Sequence, residues 1–521
     1  MALQPAHGIG TRTFRGMVWA YGSFVGVRLS SLVTTAILAR LLAPRDFGLI
    51  ALAMTFMAFL DMLQGLGVSQ ALVVADAGTV HEKANTAFTI SSAMGVALWL
   101  LAAALGPLAA TLFRQPRMVE VMPALGLTFL MYGLGSTHYA LALREIDFRA
   151  RTACEIANAV ARGLVGIVLA LAGLGVWSLI AGYVAGTLAM DVSLWVMVAW
   201  RPRWRLDRAH GRSLLGFGGA LTGVAVMGAF LNQFDNALVG RVLGAGQLGL
   251  YSIAGRLPYL LIISLAVATG QVLFPAFASL SADRMRAAFL LSLRYTALVA
   301  LPLTAFLVVM ARPLTLIVFG PRWLAAVAPT QVFCAWALMS PVTQVCGNAL
   351  KARGRATLLF ALSVPQAIGL VVGSLLFVHQ GILAVSWVQA TIAVVAQGVT
   401  LAVTDRVLSL PTGRVLAAVA WPLLAAGLMA GVMMACRLAL TGSVLVVAVG
   451  GVAGAAVYVG VCHLLMPDLL TRLVAMALPS RARPAVAFVA LPDEVPPPLV
   501  LSALRPERPP VSRGEPQLRD A

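Results

Sequence analysis

The chain has 521 residues, 60% of them hydrophobic and only 11% charged, and its mean hydropathy is +0.92. A soluble protein of this size carries roughly a quarter charged residues, so a soluble enzyme is excluded, and the formal net charge of +18 is no footprint of a nucleic-acid partner. Apolar runs of about 20 residues recur along nearly the whole length, the mark of membrane-spanning helices.

In chain order, Met1 to about Gly16 carries Arg12 and Arg15 without a cleavage site behind a short apolar core, and reads as a cytoplasmic N-terminus. Candidate spans follow at 17–38, 47–72, 86–112, 119–141, 155–174, 177–199, 215–239, 248–276, 289–310, 326–348, 357–378, 381–403, 416–436 and 443–465, about 14 in all. Spans five and six are joined by little more than Gly173 to Gly175. From about Pro467 the segments LPDEVPPPLV and LRPERPPVSRGEPQLRD are rich in Pro, Arg and Glu, as expected of a disordered cytoplasmic tail.

The positive charge, nearly all arginine, sits in the loops after even-numbered spans. Arg144, Arg149 and Arg151 fill one, and Arg201, Arg203, Arg205, Arg208 and Arg212 the next. Arg284 and Arg286, then Lys351, Arg353 and Arg355, then Arg406 and Arg414 follow. The alternate loops hold fewer, such as Arg114 and Arg117 or Arg312 and Arg322. The positive-inside rule therefore puts both termini of a multi-pass membrane protein in the cytoplasm.

An internal repeat is visible. TTAILARLLAPRDFGLIALA from Thr34 aligns with DNALVGRVLGAGQLGLYSIA from Asp235, placing Arg40 on Arg241 and Gly48 on Gly249. A second match places Phe113 near Phe319. The repeat covers an even number of spans, so both copies have the same orientation. The expected fold class is all-α integral membrane, with two six-helix lobes related by a parallel pseudo-two-fold repeat plus two extra C-terminal helices. The expected units are a cytoplasmic N-terminus (1–16), an N-terminal lobe (17–212), a C-terminal lobe (213–410), two additional helices (411–466) and the tail (467–521). Small residues at four-residue spacing suit close helix packing: Gly22 and Gly26, Gly182 and Gly186, Gly219 and Gly223, Gly369 and Gly373.

A charge in mid-span costs roughly 2.5–3.5 kcal/mol on insertion scales, so it faces protein or water. Arg28, Asp61, Glu155, Arg162, Asp191, Asp235 and Arg256 are such charges. Asn232, Asp235 and Asn236 share one face of span seven, and antiparallel neighbours could bring Arg256 to Asp235. Gln344, Asn348 and Lys351 form a similar stripe in span ten. Arginine suits a phosphate or pyrophosphate, because its guanidinium stays charged and presents a fork of donors. The substrate-binding candidates are Arg28, Arg256, Asn232, Asp235, Asn236, Gln344 and Asn348, and the ion-coupling candidates are Asp61 and Asp235. Glu155 and Arg162 read as structural, and Arg40, Arg241 and Gly249 as residues that shape an outer loop.

No phosphate-binding GxxxxGK[ST] loop, HExxH pair, GxSxG elbow or CxxC pair occurs, so neither a cofactor, a metal site nor catalysis is expected. The five cysteines all lie in or beside apolar runs.

ILARLLAPRDFGLIALAMTF, GLGVSQALV and NQFDNALVGRVLGAGQLGLYSIAGRLPYLL, with QVLFPAFASL beyond, resemble the WzxC-type oligosaccharide flippases of the multidrug/oligosaccharidyl-lipid/polysaccharide exporter superfamily. The resemblance spans about residues 10 to 465. It implies an undecaprenyl-pyrophosphate-linked oligosaccharide turned from the cytoplasmic to the periplasmic leaflet, for exopolysaccharide, capsule or O-antigen assembly. It also implies two lobes around a cationic cavity, membrane lipids as surroundings, and the polymerase and export components of the pathway as possible partners. In related lipid II flippases, arginines of spans one and eight line that cavity, the spans of Arg28 and Arg256 here, and the last two helices form a groove for the lipid tail. The alternatives are a cation-coupled multidrug antiporter of the same superfamily, which would want acids in the cleft, and a polymerase or ligase, which would want a large outer loop.

Overall fold

The computed structural model describes residues 26–64, 72, 80–144, 148–207, 230, 233–410 and 412–466. The expected cytoplasmic N-terminus and C-terminal tail lie outside the described residues, as does most of span seven. Helical backbone occurs within every one of the expected spans, and no strand occurs among the described residues. Eleven of the described helices are each long and apolar enough to cross a membrane.

Helix α1 covers 26–41, followed by α2 (Pro44–Gln64), α3 (Val80–Phe113), α4 (Met118–Arg144), α5 (Phe148–Leu171) and α6 (Val176–Met197). Then come α7 (233–242) and α8 (Gly244–Ala254). A single turn, Arg256–Pro258, and a π-helical segment, Tyr259–Ile263, link α8 to α9 (Ser264–Ala278). The series ends with α10 (Ala282–Val318), α11 (Val327–Ala352), α12 (Ala356–Phe377), α13 (Ile382–Leu408), α14 (Thr412–Ala439) and α15 (Ser443–Leu465).

These helices are apolar outside and polar in places within. Leu164, Val196, Leu376, Val452 and Leu464 stand exposed, whereas Thr86, Ser136, Ser178, Ser374 and Ser386 are buried. Hydrocarbon around the bundle removes the penalty for an apolar surface, while backbone groups are satisfied within each helix.

Two packing groups form. In the first, α3 lies along α4, α5 along α6, and α2 touches α3, α4 and α6. In the second, α11 lies against α9, α10 and α13, and α12 against α13. Helices α14 and α15 pack on each other and on α10. The glycine spacing is partly borne out. A Cβ on Gly182 would sit 2.9 Å from the Arg162 carbonyl oxygen, and one on Gly186 2.9 Å from the Arg162 Cβ, so both glycines seat α6 on α5. Gly369 and Gly373 meet Ile392 and Val388 of α13 in the same way. Gly26 meets nothing, and Gly22, Gly219 and Gly223 lie outside the described residues.

The groups join at one end, that of the loops 42–43, 114–117 and 319–326. There the first turns of α2 and α8 cross with almost no space between backbones. A Cβ on Gly48 would lie 1.6 Å from the Ala245 carbonyl oxygen, and one on Gly249 1.8 Å from that of Pro44. The Trp323 indole N–H donates to the Ala39 carbonyl at 2.8 Å, its ring meets Phe47 edge-on at 5.2 Å, and the Arg40 guanidinium donates to the Ile317 carbonyl. The largest buried core, including Leu38, Phe47, Leu52, Leu248, Tyr251 and Trp323, runs unbroken from one group to the other here.

Candidate functional site

Three arginines gather where the groups face each other beyond this closed end. Arg162 of α5 stacks on the Tyr183 ring of α6, its Cζ 3.4 Å from the ring centroid. Arg256, from the turn after α8, approaches the same phenol, so one hydroxyl of the first group has two guanidinium neighbours from opposite groups. Arg28 of α1 lies over the ring of Tyr259 in the π-helical segment, its Cζ 5.7 Å from the centroid. Tyr259 follows Arg256 by one helical turn, so the two contacts join into a continuous patch. Arg256 is exposed, and Arg28 and Arg162 are half-buried. Among the described residues no carboxylate forms an ion pair with Arg162 or Arg256.

The depth of this patch follows from helix geometry. Arg256 is seven residues beyond Gly249 and Arg28 eleven before Ala39, which at the helical rise is roughly 10–16 Å from the closed end. A hydrocarbon core is about 30 Å thick, so the guanidinium groups sit near mid-depth. Cations there face a hydrated cavity. Cation–π contact holds the side chains in place without neutralising them, and the patch keeps its charge for an anion.

Only half of this patch was legible in the sequence. Arg28 and Arg256 stand out in the sequence as mid-span charges, whereas Arg162 reads there as structural and no motif in the sequence marks Tyr183 or Tyr259. Arg162 lies seven residues after Glu155 on the same helix. Glu155 bonds Arg151 at 2.9 Å, leaving Arg162 for the cleft. The usable signal was the pair of tyrosines in spans six and eight facing arginines.

Asp235 does not pair with Arg256. It is 3% exposed, and its Oδ2 accepts the Tyr251 hydroxyl at 2.7 Å. Its Oδ1 accepts the Asn236 backbone N–H at 2.9 Å. The Tyr251 oxygen also lies 2.9 Å from the Gln389 side-chain amide. A phenol has one proton, so the Tyr251 hydroxyl shares it between the Asp235 carboxylate and the Gln389 Oε1. Asn236 bonds Gln233 at 3.2 Å, and Asn232 lies outside the described residues. Helices α7, α8 and α13 thus share one carboxylate deep in the second group.

Asn348 donates to the Gly270 carbonyl at 3.1 Å, and Gln344 crowds the same glycine, whose Cβ would fall 2.5 Å from the Gln344 Oε1. Both hold α11 to α9. Asp61 is exposed on α2, and the Tyr132 phenol feels its charge and that of Asp191 of α6. A Cβ on Gly135 would lie 2.0 Å from the Asp191 Oδ1, so glycine admits that carboxylate to the α4–α6 interface.

A second feature is apolar. A cleft of about 520 Å³ opens between α10 and α15, lined by Pro302, Leu303, Phe306, Met429, Gly451 and Tyr458 among others.

The sequence model for a polysaccharide biosynthesis protein family matches residues 37–328, more than half of the chain. The chain belongs to this family. Among curated proteins, this family member is 30% identical to the succinoglycan biosynthesis transport protein ExoT of Rhizobium meliloti (strain 1021) over 319 residues, 59% of this chain and 63% of ExoT. It is 23% identical to the lipopolysaccharide biosynthesis protein WzxC of Escherichia coli (strain K12) over 361 residues, 68% of this chain and 72% of WzxC. Its fold is similar to that of lipid II flippase MurJ in an inward closed conformation, at TM-score 0.72 and 14% identity, covering 87% of this chain and all of that one. An inward-facing multidrug MATE transporter matches at TM-score 0.60 and 15% identity, over 74% of this chain and 98% of the other. The resemblance read from the ILARLLAPRDFGLIALAMTF region is borne out, as is the all-α membrane fold. This polysaccharide biosynthesis protein is a multi-pass membrane protein.

Proposed function

We propose that this protein moves an undecaprenyl-pyrophosphate-linked oligosaccharide from the cytoplasmic to the periplasmic leaflet of a bacterial inner membrane, for the assembly of an exopolysaccharide, capsule or O-antigen. The observation that carries the reading is the patch of Arg28, Arg162 and Arg256, unneutralised by carboxylates at Arg162 and Arg256 and placed between two helix groups closed at one end. A pyrophosphate offers the oxygens such a patch can bind in a fork. A cationic drug would be repelled by it, which weighs against the multidrug alternative.

In this reading the two groups are six-helix lobes related by the parallel repeat, and both termini are cytoplasmic. The arginine-rich loops then face the cytoplasm, and the Gly48–Gly249 crossing closes the periplasmic side. The pyrophosphate enters between the lobes and is held by the three arginines. The closed end then opens and the cytoplasmic side closes. The polyprenyl chain remains in hydrocarbon, guided by the apolar cleft between α10 and α15. Asp235, and Asp61 of the first lobe, are the candidate groups for an ion that drives the return.

The deciding experiment uses a strain lacking this protein with the upstream glycosyltransferases intact. Complete lipid-linked units should accumulate out of reach of an impermeant periplasmic probe. Units as reachable as in the parent strain would refute the reading, and exported but unpolymerised units would mark a polymerase.

A further inference from the structure

Residues 198–207, which follow α6, run without helix, and their side chains alternate. Trp200, Pro202, Trp204 and Leu206 interleave with Arg201, Arg203 and Arg205. In extended chain a period of two puts the apolar and basic sets on opposite sides.

The segment is strapped onto the start of α3. The Arg203 backbone N–H donates to Asn85 Oδ1 at 2.9 Å, that of Asp207 to Thr86 Oγ1 at 3.3 Å, and Thr89 Oγ1 donates to the Arg205 carbonyl at 3.2 Å. Trp200 packs on the buried cluster containing Ala84, Ala87 and Leu141. Phe88 meets Trp200 at 6.2 Å and Trp204 at 5.1 Å, and the buried His138 meets Trp200 at 5.2 Å.

The other side of the strap is unspent. Arg201, Arg203 and Arg205 are all exposed, and among the described residues none of them forms an ion pair. Among the described residues, only Arg201 of the three bonds protein through its guanidinium, to the carbonyls of Val198 and Trp200. Trp204 touches Phe88 yet is 69% exposed, and Leu206 is 63% exposed. The strap lies level with the ends of α3, α4 and α6, hence at the edge of the hydrocarbon core. An exposed indole and leucine beside a row of arginines is the chemistry of the lipid head-group layer: the indole sits among glycerol esters and the guanidinium groups reach phosphates.

We propose that residues 198–207 bind the head groups of anionic phospholipids of the bilayer through Arg201, Arg203 and Arg205, with Trp204 set in the interfacial layer. The strap docks on α3 and α4, neither of which contributes to the arginine patch of the cleft, so its occupant is a bilayer lipid and not the transported pyrophosphate. Lipid held there anchors one end of the first helix group at the membrane surface while the second group moves against it.

The test uses the full-length protein in bilayer nanodiscs containing brominated phosphatidylglycerol or brominated phosphatidylcholine at equal mole fraction. The Trp204 contribution to fluorescence is the difference between the parent protein and Trp204→Phe. Brominated phosphatidylglycerol should quench that contribution more strongly. The selectivity should fall roughly fivefold for each of Arg201→Gln, Arg203→Gln and Arg205→Gln, and the three corresponding lysine substitutions, which keep the charge, should retain most of it. Equal quenching by the two lipids overturns the proposal, as does selectivity unchanged when all three arginines become glutamine. Displacement of phosphatidylglycerol by trace undecaprenyl pyrophosphate would also overturn it, by making the transported lipid the occupant.

Discussion

Replacing Gly249 by alanine should bias the protein against its closed end without touching the cleft. The new Cβ would lie 1.8 Å from the Pro44 carbonyl oxygen, where ordinary contact begins near 3.4 Å, so α2 and α8 must part by 3.4 − 1.8 = 1.6 Å. The obstacle is backbone, so no side chain can rotate away. Overpacking of this kind costs about 1–3 kcal/mol. Here the cost falls only on the conformation in which the helices cross, so it shifts a conformational equilibrium by roughly 5- to 150-fold. Spin labels at Arg117 and Arg322, both exposed in loops of the closed end, would read the shift. The parent should give a dominant short distance, and Gly249→Ala and Gly48→Ala should add a longer one, with polysaccharide export reduced. Gly246→Ala is the control, because its Cβ would meet nothing within 4 Å. If Gly249→Ala gave the parent's distance distribution and export, the crossing would be no gate, and the reasoning from the repeat-related glycines would fail.

Loss of a charge-assisted bond is worth roughly 1.5–3 kcal/mol, so Arg162→Ala and Arg256→Ala should each lower export by about one to two orders of magnitude at matched expression. Normal export in both variants would remove the anion site. Asn348→Ala should lower the thermal midpoint, since the buried Gly270 carbonyl loses its donor at about 1–3 kcal/mol. It should leave binding of a pyrophosphate lipid to detergent-solubilised protein unchanged, and weaker binding would return Asn348 to the cleft. Asp235→Leu should destabilise the second group by stranding the Tyr251 hydroxyl, whereas Asp235→Asn should preserve the fold and abolish any dependence of export on the ion gradient. Equal unfolding of the two variants would make Asp235 purely structural.

The helices were legible because their cause is one-dimensional: an apolar run long enough for a bilayer becomes a helix, since nothing else satisfies its backbone there. The partners of polar groups were less so. Asp235 and Arg256 were matched as opposite charges in adjacent spans, yet Asp235 turns inward to Tyr251 while Arg256 turns to Tyr183 of the other group. A spacing rule within one helix says which residues share a face, but nothing about which helix stands opposite. Gln344 and Asn348 show the same limit: Asn348 donates to the Gly270 carbonyl and Gln344 crowds that glycine. One sequence match did carry into space: Gly48 and Gly249, which align in sequence, meet where α2 crosses α8.

That meeting has a mechanical corollary. Helix α8 carries Gly249 at the closed end and Tyr251, the partner of Asp235, within one half-turn. It then leads through Gly255 into Arg256 at the cleft. Helix α1 carries Arg28 toward the cleft and Ala39 at the closed end, where Trp323 holds it. Two guanidinium groups within reach of one phenol are about 6 Å apart, and in a hydrated cleft they repel by roughly 1 kcal/mol. An anion entering between them reverses the sign of that interaction and draws the turn at Arg256 toward α5. Because α8 is a helix of barely three turns, it transmits such a pull as a rigid lever, with Gly249 at its middle. In the proposed cycle, binding at the arginines and release of the glycine crossing are therefore one movement. The tolerance of that crossing is set by a backbone contact too close for any side chain, so a small rotation of α8 suffices to break it.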